Sequence, residues 1–481
     1  MSTFSGLSTA LSSLIAQRQA LDVAGQNVAN ANTVGYTRQR ATLSSLPAAQ
    51  VPSMFSVPNG TGEGTRVSGI QRLGDTFVDA RLRTQTGGAA YLKARAEAYA
   101  TLEAGTGEPG ESGLSSQLAE MWSAWGDVSN TPDKGSARAV LLESSKTVVD
   151  RIQTLYTAAQ TQWSQARSTT TSLVEEVNTT ASGVADLNAR ILQITNAGGT
   201  AHELADQRDL LVTQLSSLVG ATVSTRPDGQ LDVMVAGNML VNGDRTHAIA
   251  VTGATSFAQA TGNTSTPGQA VSIVWADRPT QQVGLDSGRV AGLLSVLAPP
   301  AGGSGGILTE AAASYDALAT NIATKVNGLH TSALTTAGTT GTAFFTFAPG
   351  ESPAMGLQVA ITDPLDIAVA SSLPGAGALD GSVGSQLAAL GHDAQGPDAL
   401  WSKSVVELGV RASSAASRAD VAEAARATAE QQQLAITSVD TDEETVNMLA
   451  FQRAYEGAAR VLTAVDEMLD TLINRTGLVG R

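Results

Sequence analysis

The side chains that most often do chemistry are few in this chain and lie far apart. Its four histidines are His202, His247, His330 and His392. None has the H-x-x-x-H or H-E-x-x-H spacing that places two metal ligands on one helix face. The chain has no cysteine, which excludes disulfides, thiolate metal sites and cysteine nucleophiles. The sequence therefore predicts no metal site, and we expect the histidines to be surface or loop residues.

Two acidic clusters are candidates for paired catalytic carboxylates. Glu175 and Glu176 are neighbours on a predicted helix, so their side chains point to different faces. In the second cluster, Thr441 to Glu444 has the capping-box pattern, which predicts a helix start with acidic residues at the positive end of the dipole. The glycines at 60–64 match neither nucleotide-binding loop pattern. We therefore predict no enzyme activity and no cofactor.

Composition and charge narrow the class of protein further. A length of 481 residues predicts roughly three domains, and 42% apolar residues are typical of globular proteins. A net charge of -15 argues against nucleic acids and anionic membranes as partners. No apolar run approaches the roughly 20 residues that span a bilayer. Polar residues interrupt Met1 to Leu21, so we expect no cleaved secretion signal.

Apolar spacing of three and four residues predicts a helical bundle in the middle of the chain. Its segments are 75–105, 114–129, 136–196 and 201–219, with further helices at 308–335 and 400–436. Residues 41–70 are rich in proline and glycine and predict extended, loop-rich chain. Alternation of polar and apolar residues predicts a small β domain at 221–285, and Phe344 to Phe347 predicts a further strand-like patch.

The two chain ends carry apolar seams at heptad spacing. The N-terminal seam is Leu7, Leu14, Leu21 and Val28, and it ends in an Asn-rich turn at 30–36 that predicts a sharp chain reversal. The C-terminal seam has one position at Met448, Tyr455, Leu462 and Leu469 and the other at Phe451, Ala458, Val465 and Leu472. Neither helix can bury its seam alone. The seams therefore indicate pairing with each other, pairing with neighbouring subunits, or packing on the central body.

A resemblance to known proteins is carried by these same ends. The run Leu21 to Gln39, LDVAGQNVANANTVGYTRQ, resembles the signature A-x-N-[IV]-A-N-x-N-T-x-G-Y of flagellar rod, hook and hook-associated proteins. Its TRQ ending, and the stretch Gly62 to Phe77 after it, are similar to the hook-associated protein 1 (FlgK) family. Residues 438–473 resemble the C-terminal motif of the same axial proteins. Val34, where proline is frequent, and Gly25, inside the first helix, depart from the pattern.

The resemblance implies a structural adaptor subunit of the bacterial flagellum, assembled at the hook tip as the hook-filament junction. It implies type III export without a cleaved signal and location in the flagellum. The implied partners are other copies in a ring, hook protein, the third hook-associated protein and a flagellar export chaperone, with no nucleic acid and no membrane insertion. The expected assembly interface consists of Leu7, Leu14, Leu21, Val28, Asn30, Asn32, Gly35, Tyr36, Met448, Phe451, Tyr455, Leu462, Val465, Leu469 and Leu472.

Two alternatives to this hypothesis are another flagellar axial subunit and, from a different class of protein, an enzyme. A hook or distal-rod axial subunit resembles the chain at both ends, but those proteins have largely β middles, so the helical pattern over 88–219 favours the hook-associated family. An enzyme displayed on the flagellum would need a recognisable site within 221–400, and no such motif is visible there.

The expected fold is mainly α with inserted β: terminal helices forming a coiled-coil-like core, a central helical bundle, and one or more small β domains. We expect a terminal helical axial domain at 1–40 plus 440–481. A mainly helical middle domain is expected at 41–220 plus 286–439, with the small β domain inserted at 221–285.

Overall fold

The structure is a computed structural model, and it describes residues 3–47, 62–262, 266–372, 377 and 379–475. The fold is mainly α-helical. The helices are α1 Thr3–Ala29, α2 Thr76–Thr106, α3 Leu114–Asn130, α4 Gly135–Asn196, α5 His202–Val219, α6 Phe257–Thr261, α7 Gly288–Leu297, α8 Ile307–His330, α9 Pro353–Gly356, α10 Ser382–Ala388, α11 Pro397–Thr437 and α12 Thr441–Asp470. A short π-helical turn, Thr471–Arg475, follows α12.

The strands form small antiparallel sheets between these helices. They are β1 Gln39–Leu46, β2 Gly64–Arg72, β3 Thr222–Thr225, β4 Leu231–Val235, β5 Asn238–Asn242, β6 Arg245–Thr246, β7 Ile249–Gly253, β8 Val271–Trp275, β9 Arg278–Gln282, β10 Phe345–Phe347 and β11 Leu357–Val359. The sheet orders are β1-β2, β3-β4-β5-β6, β7-β8-β9 and β10-β11. The mainly α fold with inserted β predicted from the sequence is confirmed.

Helix α4 contributes to both hydrophobic cores of the molecule. At 62 residues it is roughly 90 Å long, since an α-helix rises about 1.5 Å per residue. Its first half, including Ile152 and Trp163, lies in a core shared with α3, α8 and α11. Its second half, including Val177 and Val184, lies in a core shared with α5, α7 and strands β4, β5, β7 and β8. The long helix therefore joins the two parts of the body.

The strands between 222 and 282 pack directly on helices of the body. Val233 and Val241 lie in the same buried cluster as Val177 of α4 and Leu215 of α5. The strands use the helices as one wall of their core, so this segment does not bury its apolar face by itself. The domain boundaries at 221 and 285 stay a prediction.

Two local predictions need correction. His330 was expected at the surface, but its ring is completely buried: Nδ1 lies 2.6 Å from the carbonyl oxygen of Thr342 and Nε2 lies 2.9 Å from the amide nitrogen of Ala368. An amide nitrogen donates, so Nε2 accepts and Nδ1 carries the proton of a neutral ring. Residues 41–70 were expected to be extended, loop-rich chain; the described part is extended, but it pairs as the antiparallel strands β1 and β2 instead of forming loops. The expectation for 48–61 lies outside the described residues.

Trp122 and Trp125 are buried in the core of the helical bundle. The indole nitrogen of Trp122 donates to the Asp398 carboxylate at 2.6 Å. Trp401 of α11 donates in the same way to Glu108 at 2.8 Å. These two contacts fix the start of α11 against the body.

Candidate assembly interface

The two chain ends form an antiparallel helix pair, α1 with α12. Near one end, a Cβ added at Gly6 would lie 3.6 Å from a methyl group of Val465. Near the other end, Arg38, just beyond α1, forms ion pairs with Glu443 and Glu444 in the first turn of α12. That distance is an ordinary van der Waals contact, so the two helices lie within side-chain contact at this point. Pairing between the ends, one of the arrangements that the seams indicated, is therefore present within a single chain.

The predicted seam residues are buried to very different extents in this pair. On α1, Leu7, Leu14 and Leu21 are half-buried and Val28 is exposed. On α12, Val465 is buried, Tyr455 and Leu472 are exposed, and the others are half-buried: Met448, Phe451, Leu462 and Leu469. Part of the seam surface therefore remains accessible to solvent in the isolated chain.

The fully buried face of α1 is made of small residues instead. These residues are Ala10, Ala16, Ala20, Val23 and Ala24. The spacing of large apolar residues predicted the leucine seam as the contact line, but alanines allow the neighbouring elements to approach more closely. Large side chains are thereby displaced toward the edge of the contact.

A second apolar stripe on the pair is exposed and was not in the predicted interface. Leu11 and Ile15 carry it on α1, and Val446, Val461 and Met468 carry it on α12, each more than half exposed. These side chains expose apolar surface of the kind that protein–protein contacts bury. These residues lie outside the heptad positions that define the seams; Val461 and Met468 are seven residues apart but occupy a neighbouring position of the repeat.

Asn27 organises the turn that follows α1. Its side chain is buried, with Nδ2 donating to the Gln39 carbonyl at 2.8 Å and Oδ1 accepting from the Gln39 amide at 2.9 Å. The Tyr36 hydroxyl also donates to Asn27 Oδ1, at 2.9 Å. Gly35 adopts the left-handed conformation that was predicted, with φ of 80°. One amide side chain thus fixes the direction in which β1 leaves the helix.

The other predicted turn residues have more local roles. Asn30 is half-buried; its Nδ2 donates to the Gln26 carbonyl at 3.0 Å, and its Oδ1 accepts from Thr33 Oγ1 at 3.2 Å. Asn32 and Gly35 are exposed. The signature asparagines therefore differ in function: Asn27 joins distant backbone, whereas Asn30 closes its own turn.

Arg38 connects this turn to the start of α12. Its Nε lies 2.7 Å from the buried Glu444 carboxylate, and its Nη2 lies 2.7 Å from the exposed Glu443 carboxylate. The hydrogen bond from Arg38 lowers the pKa of Glu443. The capping-box prediction was wrong: the cap of α12 is Asp440, whose side chain accepts from the amides of Asp442 and Glu443. Glu444 is used for the Arg38 contact instead.

Ion pairs and a hydrogen bond also join the segment after α1 to helix α5 of the body. Arg72 Nη2 lies 2.6 Å from Asp206 and 2.8 Å from Asp209, and the Thr37 amide donates to Asp206 at 3.2 Å. Although burial opposes the charge of Arg72, the carboxylates of Asp209 and Asp206 raise its pKa. Burial, with the carboxylates of Asp206, Glu203 and Glu444, raises the pKa of Tyr36 to about 12, so its hydroxyl stays protonated. These contacts fix the terminal helix pair to the body.

The expected assembly interface did not include four residues that make these contacts: Asn27, Arg38, Arg72 and Asp206. Asn27 and Arg38 lie inside the signature run, which was the available signal. Arg72 and Asp206 are 134 positions apart in sequence, and no local pattern relates them.

Two kinds of site are absent from the described residues. No group of three histidine and acidic side chains in the described ranges has the geometry to bind a metal ion. Within the same ranges, no helix is both long enough and apolar enough to cross a bilayer. What the site offers is apolar surface and a rigid connection, which suit assembly.

Comparison with protein-family models gives three matches along the chain. Residues 99–345 match the helical domain of the flagellar hook-associated protein FlgK. Residues 7–37 match a flagella basal body rod protein family, and residues 430–475 match the C-terminal region of the flagellar basal body rod FlgEFG proteins. The two terminal matches coincide with α1 and α12.

Individual proteins are similar over different lengths. Flagellar hook-associated protein 1 of Bacillus subtilis is 31% identical and aligns over the whole of both chains. That of Escherichia coli is 29% identical over 51% of this chain and 44% of its own length. Among solved structures, the flagellar hook junction protein FlgK from Burkholderia pseudomallei has a TM-score of 0.62 at 15% identity, covering 76% of this chain and 100% of its own. This last likeness concerns the fold.

Proposed function

The chain belongs to the flagellar hook-associated protein 1 (FlgK) family, and from that premise we propose how its terminal helix pair serves assembly. It is a structural adaptor subunit of the bacterial flagellum at the hook-filament junction. The match to the Bacillus subtilis relative over the full length of both chains carries this conclusion. The helical-domain match also favours it over the alternative of a hook or distal-rod subunit.

We propose that the exposed apolar surface of α1 and α12 contacts neighbouring subunits in the assembled flagellum. Leu11, Ile15, Val461 and Met468 expose apolar area that a second subunit would bury. The half-buried seam residues at its edge, such as Leu14, would lose their remaining exposure in the same contact. Buried apolar surface is the main driving force of association.

The partners follow from this position in the flagellum. We propose a ring of copies of this chain, placed between hook protein on one side and the third hook-associated protein on the other, with a flagellar export chaperone before assembly. The protein would be exported to the flagellum without inserting into a membrane. We propose no enzyme activity and no nucleic-acid binding for it.

An in-frame deletion of the gene tests the function. We expect normal hooks, no filaments, and flagellin released into the medium, because the adaptor between hook and filament is missing. Electron microscopy and immunoblotting of the medium measure these outcomes. Intact filaments would refute the adaptor function, and absence of hooks would favour the hook or rod alternative.

A further inference from the structure

A groove along the body lies between α2, α8 and α11. One part, of about 700 Å³, is lined by apolar and aromatic side chains that include Leu102, Ile307 and Trp401. A second part, of about 350 Å³, shares Tyr99 and Arg411 with the first, so the two are continuous. We refer to the whole as the arginine groove. It lies outside the terminal helix pair.

Arginines line the second part of the arginine groove, without any carboxylate among its lining residues. They are Arg95, Arg411 and Arg418. Arg418 forms no hydrogen bond or ion pair with any residue of the described ranges. Arg95 donates to the Tyr91 hydroxyl at 3.2 Å and lies over the Tyr91 ring. Arg411 pairs with Glu407 on its own helix. Positive charge is therefore concentrated in the second part of the groove, although the net charge of the chain is -15.

The loop before α8 keeps a nearby carboxylate from cancelling this charge. Glu310 accepts hydrogen bonds from the amides of Ala301, Gly303 and Gly305 at 2.6, 2.9 and 3.0 Å. Backbone amides arranged in this way stabilise an anion. Because its negative charge is already compensated, Glu310 repels an incoming acidic group less strongly.

The rim of the arginine groove is apolar. Val410 of α11 lines the second part and is 65% exposed, and Val406 one turn earlier is 62% exposed. The apolar rim, the aromatic floor and the guanidinium groups, of which that of Arg418 has no partner in the described ranges, together fit a segment that carries acidic side chains next to apolar ones.

We propose that the arginine groove docks an acidic, partly apolar segment of a second copy of this chain. Charge complementarity favours a second copy as the occupant. Each copy carries a net charge of -15, so two copies repel each other over most of their surface. The groove supplies the opposite charge at one defined place. The proposal rests on the proposed function, because assembly brings copies side by side. It adds a second contact to that of the terminal helices, on a different part of the molecule.

Photo-crosslinking in assembled flagella identifies the occupant. Benzoylphenylalanine replaces Ser414, which lines the groove and is exposed, and in a matched control it replaces Ser413, an exposed neighbour outside the lining. We expect a product of two copies from position 414, at least several-fold more than from position 413. Equal yields from both positions, or a product with a different flagellar protein, would overturn the proposal.

Charge reversal tests the contribution of the arginines. The double variant R95E/R418E should be exported and melt as the wild type does, yet incorporate into flagella at least tenfold less. A matched variant, R190E/R245E, reverses two arginines outside the groove and should incorporate normally. If R95E/R418E incorporates as well as wild type while the deletion strain lacks filaments, the groove proposal fails and the adaptor function stands. Filaments on the deletion strain would refute the adaptor function instead.

Discussion

The helical body and the terminal helix pair bury similar side chains to different extents. In the body, Leu118 of α3 and Leu141 of α4 are completely buried. In the terminal pair, Leu14 and Leu462 remain partly exposed although they occupy the heptad seams. Body leucines thus obtain all of their contacts within one chain, whereas seam leucines obtain only part of them. We propose that assembly supplies the contacts that the seam leucines lack within one chain.

Truncating one leucine in the body and one in the terminal pair tests this comparison. It has the largest expected effect on the free energy of unfolding. Leu118→Ala should lower the free energy of unfolding of the body by about 2 to 5 kcal/mol, because a fully buried leucine leaves a cavity. Leu462→Ala should cost about 1 kcal/mol or less, since solvent already reaches it. Urea unfolding followed by far-UV circular dichroism measures both. Equal losses would contradict the comparison.

Substitution of Arg38 tests how strongly its ion pairs stabilise the start of α12. Arg38→Met leaves the Glu444 carboxylate, whose side chain is 4% exposed, without its cation and should lower the opening free energy of α12 by about 2 to 3 kcal/mol. Glu443→Gln is the control, since its carboxylate is 56% exposed and such pairs contribute about 1 kcal/mol at most. Amide hydrogen exchange of α12 measures the opening. A larger effect from Glu443→Gln would reverse the assignment.

Acid should weaken the body through His330. Burial lowers the pKa of His330 below its ordinary 6.5. The unfolded chain therefore binds a proton that the folded chain does not, so this contribution is complete above pH 6.5 and is lost as pH falls below it. The slope is at most about 1.4 kcal/mol per pH unit, the value for one proton. The terminal pair contributes no histidine titration to this pH dependence, because α1 and α12 contain no histidine.

A His330→Gln variant isolates that contribution in urea titrations between pH 7.5 and 5.5. The variant should be less stable at pH 7.5, because buried hydrogen bonds change, but its stability should depend less on pH. The buried carboxyls Asp316 and Asp398, whose pKa values burial raises, are common to both proteins. Identical slopes would show that His330 does not titrate on unfolding.

The smallest expected effect concerns the helix itself in the terminal pair. Gly25→Ala should raise the stability of α1 by about 0.5 to 1 kcal/mol, since nothing lies within 4 Å of the added Cβ. Gly35→Ala should act in the opposite direction, because φ of 80° is strained for alanine. Hydrogen exchange of α1 amides checks both signs. A destabilising Gly25→Ala would mean that the glycine has a packing role.

The sequence predicted what depends on local spacing. The bounds expected for the helical segments 114–129 and 136–196 lie within one residue of α3 and α4, because each has a regular apolar face and clear breaks. The turn at Gly35 followed from the conformational freedom of glycine. These features are set by neighbouring residues alone.

Features that depend on distant partners were not predictable in this way. His330 has no local signal for burial, since its partners Thr342 and Ala368 come from later chain. The contact between Arg38 and Glu444 joins residues 406 positions apart, so Glu444 was assigned to a local cap. The most buried face of α1 was not predicted because alanines, which carry little hydrophobic signal, form most of it.

The most direct test of the account changes the exposed apolar stripe without touching a core. Val461 and Met468 are 51% and 53% exposed, so V461D/M468D should leave the melting of the purified chain unchanged. A control, V140D/M239D, places the same charges on exposed apolar sites of the body. Electron microscopy of complemented deletion strains should show hooks without filaments for V461D/M468D and normal filaments for the control. Normal filaments on the V461D/M468D strain would contradict the claim that this stripe joins subunits.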